Sequence, residues 1–163
     1  MMESKEKLGS EIYRMLEESG PPYGCGTASI VGGFASRLAV MSLTISDIEH
    51  DLHDVPRTFF LMCDEDDQEF QSFLEDGQEN SLNEVPLRLL ECSYRLLIAL
   101  SAYEDRIQNN VVVDYRMGIR MLNQVFTAAE NILLSNGCSA EIRKEMLYYE
   151  GKLAGTLPKS LQS

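Results

Sequence analysis

Basic residues are almost missing from the middle of this chain. Between Asp47 and Glu91 there are 14 acidic residues against Arg57 and Arg88, so this segment carries the whole net charge of -12 and the remainder balances. A nucleic-acid partner is therefore excluded as an expectation, because phosphate binding needs a basic surface. The ordinary reading is an acidic face turned to solvent. Histidine occurs only twice, as His50 and His53. A di-iron carboxylate bundle needs two Glu-x-x-His motifs and two further glutamates, and "DIEH" at Asp47 to His50 is one imperfect copy. Cysteine occurs as Cys25, Cys63, Cys92 and Cys138, with no C-x-x-C pair. Neither a zinc site nor a redox dithiol is expected, no metal is assigned, and free thiols in a reducing compartment fit. No apolar run reaches the roughly 18 residues of a membrane span, and "MMESKEKLGSE" is too polar for a signal peptide. The expectation is a cytoplasmic protein without membrane contact. Phosphate-loop and dinucleotide motifs are absent as well: "GCG" precedes a helix but follows no strand.

What is there reads as helix after helix. The 163 residues suit one domain with a real core. A first helix over about Ser4 to Glu18 places Leu8, Ile12, Met15 and Leu16 on one side, and "SGPP" stops it. A second, about Gly26 to Ile45, carries Ile30, Phe34, Leu38, Met41 and Ile45 at helical spacing. A third starts near Asp54 with Pro56 in its first turn and presents Phe59, Phe60, Met62, Phe70, Phe73 and Leu74 before Gly77. A fourth begins at Asn83 as cap, with Pro86 in its first turn, and shows Leu89, Leu90, Leu97, Ile98 and Leu100. A fifth covers about Asn110 to Ser135 and ends where Gly137 suits a left-handed cap. The sixth starts from Ser139 as N-cap and runs to Leu153. Residues 155–163 read as a flexible tail. The expected fold is all-α, an antiparallel bundle of five to six helices in a single domain over 1–163.

In the second helix Ala28, Gly32, Ala35, Ser36 and Ala39 cluster on one side, which lets a neighbouring helix axis come closer than the usual 8 to 10 Å. The loop at its start is receptive to an anion or carbonyl oxygen. The densest polar feature is "CDEDDQEF", Cys63 to Phe70. At helical spacing Asp64 and Asp67 share a face with Phe60 and Phe70, while Glu65, Asp66 and Glu69 point progressively away, so a carboxylate is expected near the core or a cleft. Such a group can transfer protons or bind the donor edge of a ligand. A second constellation is "NNVVVDYRMG", where Asn110 and Asp114 stack four apart on one helix side. They either hold a polar heterocycle or, in the plainer reading, cap the helix and pair with Arg116 or Arg120. Cys25 stands at a helix start, where the dipole lowers a thiol's pKa, but no motif places a histidine as its base.

Taken in order, these features resemble the cyclodeaminase and methenyltetrahydrofolate cyclohydrolase family, whose domain also forms the C-terminal half of the bifunctional formimidoyltransferase-cyclodeaminase. Its proline and glycine-rich turn entering a small-residue helix looks like "PYGCGTASIVGGF", which keeps Pro22, Gly24, Ala28 and Gly32. Its "DEDAxAF" looks like "DEDDQEF", its "EVP" helix start matches Glu84, Val85 and Pro86, and its "NxNAVSDAG" aligns with Asn110 and Asp114. The resemblance covers about Ile12 to Asn136. It implies a homodimeric helical bundle acting on a one-carbon-substituted tetrahydrofolate as substrate, with no prosthetic group. By resemblance Asp64 and Asp114 take the proton-transfer and pterin-binding roles, in either order. Asn110, Asp67 and the Gly24, Cys25, Gly26 turn shape the pocket.

The departures point the other way. Two glycines of the family turn have become Tyr23 and Cys25, and a tyrosine lacks glycine's backbone freedom. The lysine-rich stretch after the second helix is "SDIEHDLHD" here, which repels folate's glutamate tail. Small residues after the second aspartate are Tyr115 and Arg116, able to fill a pocket. The leading expectation is a folate one-carbon enzyme, cyclodeaminase or cyclohydrolase. Beside it stand a binder of another small heterocycle and a non-catalytic homodimeric helical protein.

Overall fold

The computed structural model describes residues 2–19, 22–76 and 82–157. These form α1 (Met2–Ser19), α2 (Gly24–Ile45), α3 (Val55–Asp76), α4 (Glu84–Ser101), α5 (Val112–Ser135) and α6 (Ala140–Thr156), with a 3-10 turn at Glu104–Arg106. There is no strand among the described residues, and the all-α antiparallel bundle is the observed architecture. The punctuation works as the residue types require. Gly137 adopts φ +78 after α5, and the Ser139 side chain accepts the Ile142 N–H at 3.3 Å to cap α6. Gly155 and Thr156 continue α6 and Leu157 is buried, so these three positions are not tail; 158–163 lie outside the described residues.

α2 is the axis of the fold, with α3 and α5 packed along it in antiparallel fashion. Along α5, Val111 meets Ser42, Gly118 meets Ala35 and Ala39, and Ile132 meets Gly24. Along α3, Phe59 meets Gly32 and Asp66 meets Gly26. α4 packs on α5 and also on α6.

The rotation of α2 follows its small residues, as expected. Its buried side is the small-residue side, Ala28, Gly32, Ala35, Ser36 and Ala39, with Val40 and Leu43. Of the large residues at helical spacing, Phe34 and Ile45 are each 43% exposed, and Ile30, Leu38 and Met41 are half-buried. Contact distances explain the choice. A Cβ on Gly118 would lie 2.7 Å from the Ala35 carbonyl oxygen and 3.1 Å from the Ala39 nitrogen, so α5 touches α2 backbone to backbone. Only small side chains on both helices permit that approach. A Cβ on Gly32 would sit 2.4 Å from the Phe59 ring, and one on Gly33 2.6 Å from Phe60. The interior glycines of α2 are thus seats for two aromatic rings of α3. The buried serines cost little, because Ser29, Ser36 and Ser42 each donate to a carbonyl three or four residues back in their own helix.

By length and composition α2 is apolar enough to cross a membrane, contrary to the expectation for this chain. Its position between α3 and α5, with most of its apolar window buried, is that of a core helix. α1 stands apart from this core: Ile12, Tyr13, Met15 and Leu16 are all exposed.

Gly118→Ala therefore places a methyl against backbone that cannot turn aside, and is expected to lower unfolding free energy by about 1–3 kcal/mol. Gly151→Ala, in open space on α6, is expected to raise it by about 0.5–1 kcal/mol. Urea unfolding of both variants checks the pair.

Candidate functional site

The polar cluster of α3 is rotated from the expected face. Phe59 and Met62 face inward, and residues three, four and seven positions on from this stripe bring Asp66 and Glu69 to the same side. Asp64 and Asp67 are exposed, whereas Glu65, Asp66 and Glu69 are half-buried. Had Phe60 set the inward face, Asp64 and Asp67 would have followed it; the seating of Phe59 on Gly32 decides otherwise. Glu65 is taken up by an ion pair with Arg88 of α4.

Asp66 and Glu69 each close the start of a different helix. Asp66 Oδ2 accepts the Gly26 N–H at 2.9 Å at the beginning of α2. Glu69 Oε2 accepts the Val85 N–H at 3.4 Å at the beginning of α4. Neither helix caps itself, since Tyr23 and Asn83 make no side-chain cap bond. α3 thus supplies carboxylates across space where two helix dipoles present their positive ends. Burial nevertheless holds the Asp66 carboxyl above the usual range, against the opposing hydrogen bonds from Gly26 and Cys25. Burial likewise raises Glu69, with Glu84 and Asp66 adding to it and Val85 and Arg88 opposing. Two acids one turn apart and raised together are suited to giving and taking protons.

Cys25 is 5% exposed, and its thiol donates to Asp66. Burial and the adjacent Asp66 carboxylate push the thiol up, so the helix-start lowering expected from the dipole does not prevail. Gly26 is buried against Pro22, Cys63 and Asp66, and Gly24 is exposed. Over this end lies the Tyr23 ring, 4.2 Å from Phe70. Nearby in the chain, the Asn83 side-chain oxygen is shut from solvent with no donor reaching it.

Asn110 and Asp114 are elsewhere. Asn110 is exposed in the turn before α5, and Asp114 is half-buried in the first turn of α5. That turn lies beside Ser42 and Ser46, as Gln108 N–H donates to Ser46 Oγ at 3.0 Å. Gly26 and Ser42 are about 24 Å apart along α2 at 1.5 Å per residue. Within one chain, the expected site residues thus fall into two groups at opposite ends of α2. Arg116 pairs with Glu104 at 3.1 Å rather than with Asp114. The Tyr115 ring is fully buried and its hydroxyl donates to the Leu100 carbonyl, so it fills core and no pocket.

His50 and His53 lie ring to ring at 4.3 Å beyond the end of α2. Burial holds His50 below its usual pKa, and His53 adds to this. Among the described residues no three His, Cys, Asp or Glu side chains converge as a metal ion would need.

The sequence reading missed Asp66 and Glu69, whose signal was the spacing of Phe59, Met62, Asp66 and Glu69. Asn83, expected as the cap of α4, makes no side-chain cap bond.

No protein-family model and no curated protein matches the chain. Among solved structures, the crystal structure of formiminotetrahydrofolate cyclodeaminase from Thermotoga maritima superposes with a TM-score of 0.73. It covers 94% of this chain and 91% of the other, at 19% sequence identity. The chain has the fold of that enzyme.

Asp66→Ala removes the acceptor for Gly26 N–H and for the Cys25 thiol, and is expected to cost about 1 kcal/mol, the usual value of a helix cap. Asp64→Ala, at an exposed position, is expected to change stability by less than about 0.5 kcal/mol. Thermal and urea unfolding of the two variants distinguish them.

Proposed function

We propose that the protein is a one-carbon tetrahydrofolate enzyme of cyclodeaminase or cyclohydrolase type, with Asp66 and Glu69 as its proton-transfer pair. The observation that carries this reading is the pair itself: two half-buried, raised carboxyls where α2 and α4 begin, in a fold shared with a formiminotetrahydrofolate cyclodeaminase. In cyclodeamination a folate nitrogen attacks the formimino carbon, a five-membered ring closes, and ammonia leaves. One carboxylate takes the proton from the attacking nitrogen and one carboxyl delivers a proton to the departing one. In the hydrolytic branch water adds to the methenyl carbon and loses its proton to the same base. Asp64 and Asp67 are exposed on the same helix, and Gly24, Cys25 and Gly26 open α2 beside Asp66.

The same proposal gives Asn110 and Asp114 a place through a homodimer. The outward stripe of α2, with Phe34 in edge-to-face contact with Phe60 at 5.5 Å, is an uncovered apolar face running between the two ends. A second copy docked there about a two-fold axis perpendicular to α2 would run its α2 antiparallel to the first. The partner's α5 start then lies over this chain's Asp66 and Glu69. Asn110 and Asp114 would accept and donate hydrogen bonds to the edge of the heterocycle from the other subunit.

A second reading has a specific observation behind it. Tyr23 replaces a glycine of the family turn and rests on Phe70, and Asp66 is already engaged by Gly26 and Cys25. These features suit a non-catalytic homodimer or a binder of a smaller heterocycle.

Loss of the methenyltetrahydrofolate chromophore, and its appearance from the formimino compound, test the proposal. Asp66→Asn and Glu69→Gln are each expected to lower turnover at least about 100-fold, with Asp64→Asn near wild type. Mixing folded Asp66→Asn and Asp114→Asn subunits is expected to restore about a quarter of wild-type activity, one intact site in each mixed dimer. No turnover by the wild type and no folate binding by calorimetry favours the second reading. Turnover that survives both α3 substitutions moves the chemistry away from α3.

A further inference from the structure

α5 and α6 meet through a pair of like charges. Glu130 on α5 is 7% exposed, set between Ala129 and Leu133 of the core. Its Oε1 is closed off from solvent, and no donor reaches it. The group it faces is the carboxyl of Glu150 on α6, close enough for a carboxyl to carboxyl hydrogen bond. Two ionised carboxylates offer only acceptors, so this contact exists only while a proton is held between them.

Among the described residues no cation acts on Glu130; the charged group beside it is Glu150. On α4, Arg95 reaches Glu91 at 3.7 Å, and both stand near the Tyr149 hydroxyl rather than Glu130. On α6, Glu145 accepts from Tyr149, and the Lys152 ammonium lies over the Tyr148 ring at 5.6 Å. On α5 itself, Arg116 pairs with Glu104, and Arg120 lies about 15 Å away along the helix. α2, which packs on the far side of α5, carries Arg37 alone among charged residues, exposed.

We infer that Glu130 and Glu150 form a proton-operated latch between α5 and α6: one shared proton holds α6 down, and its loss to solvent leaves two carboxylates repelling each other across the seam. The stack of Tyr94 on Tyr149 at 4.2 Å holds α6 to α4 independently, so the latch modulates this docking without being its sole support. Burial, with Glu150 adding to it, pushes Glu130 up to about 7 from an ordinary 4.5. The sign follows from linkage. Above pH 4.5 the folded state keeps a proton that the unfolded chain releases, so the contribution is complete below 4.5, falls as pH rises, and is gone above about 7.

The test is the urea midpoint and the amide protection of α6 between pH 5 and 8.5, for wild type, Glu130→Gln and Glu150→Gln. Asp66 and Glu69 give a slope of the same sign, so the quantity read is the difference between wild type and variant. In Glu130→Gln the amide donates to Glu150 at every pH, and the fall in midpoint between pH 5 and 7 is expected to be smaller than in wild type. Protection at Met146 to Leu153, corrected for intrinsic exchange, is expected to fall at least tenfold over that range in wild type and to stay level in the variant. Glu150→Gln, at an exposed position, gives the same flattening if the buried substitution fails to fold. Identical slopes in all three proteins overturn the latch. So does a wild-type slope abolished by millimolar calcium, which makes the pair a cation site.

Discussion

The structure depends on how closely α5 can lie against α2. Gly118 brings α5 to the backbone of Ala35 and Ala39, and this contact fixes the rotation of both helices. Once the small side of α2 faces α5, the large residues Phe34 and Ile45 must turn outward. Gly32 and Gly33 are then left open toward α3, and Phe59 and Phe60 occupy them. Every later feature follows from that seating.

With Phe59 on Gly32, the inward face of α3 runs through Met62 to Asp66 and Glu69. The helix that packs beside α2 therefore also delivers carboxylates to the starts of α2 and α4, whose own N-terminal residues provide no cap. The same geometry does two things at once. It satisfies orphan N–H groups that would otherwise be costly, and it holds two acids in a half-buried setting where their protons are retained longer than in water. A structural cap and a proton-transfer group are thus the same atoms. The proposed enzyme would draw on this coincidence, with ligand donors competing for carboxylates that already serve the fold.

Much of the fold was legible in the sequence because its punctuation is chemical and local. Pro56, Pro86, Gly137 and Ser139 mark helix ends through fixed φ, a left-handed cap and a side-chain acceptor, and the observed ends agree closely. The packing side of α2 was legible too, because its small residues cluster where α5 comes closest. The inward face of α3 was not legible, since adjacent Phe59 and Phe60 differ by one residue but by about 100° of rotation. Asp64 and Asp67 were expected near the core on that account, and Asp66 and Glu69 lie there instead. The separation of Asn110 and Asp114 from the α3 acids was invisible for another reason. It follows from the antiparallel order of α2 and α5, a relation between distant segments that no motif encodes.

The most direct measurement is a carbon-13 carboxyl titration of Asp66, Glu69, Asp64 and Asp114, with and without tetrahydrofolate. The expected result is that Asp66 and Glu69 titrate above ordinary carboxylates and that both shift when the folate is added. Asp66 and Glu69 titrating in the ordinary range, or folate moving the signals of Asp64 while leaving theirs in place, would contradict the assignment of the chemistry to the pair at the starts of α2 and α4.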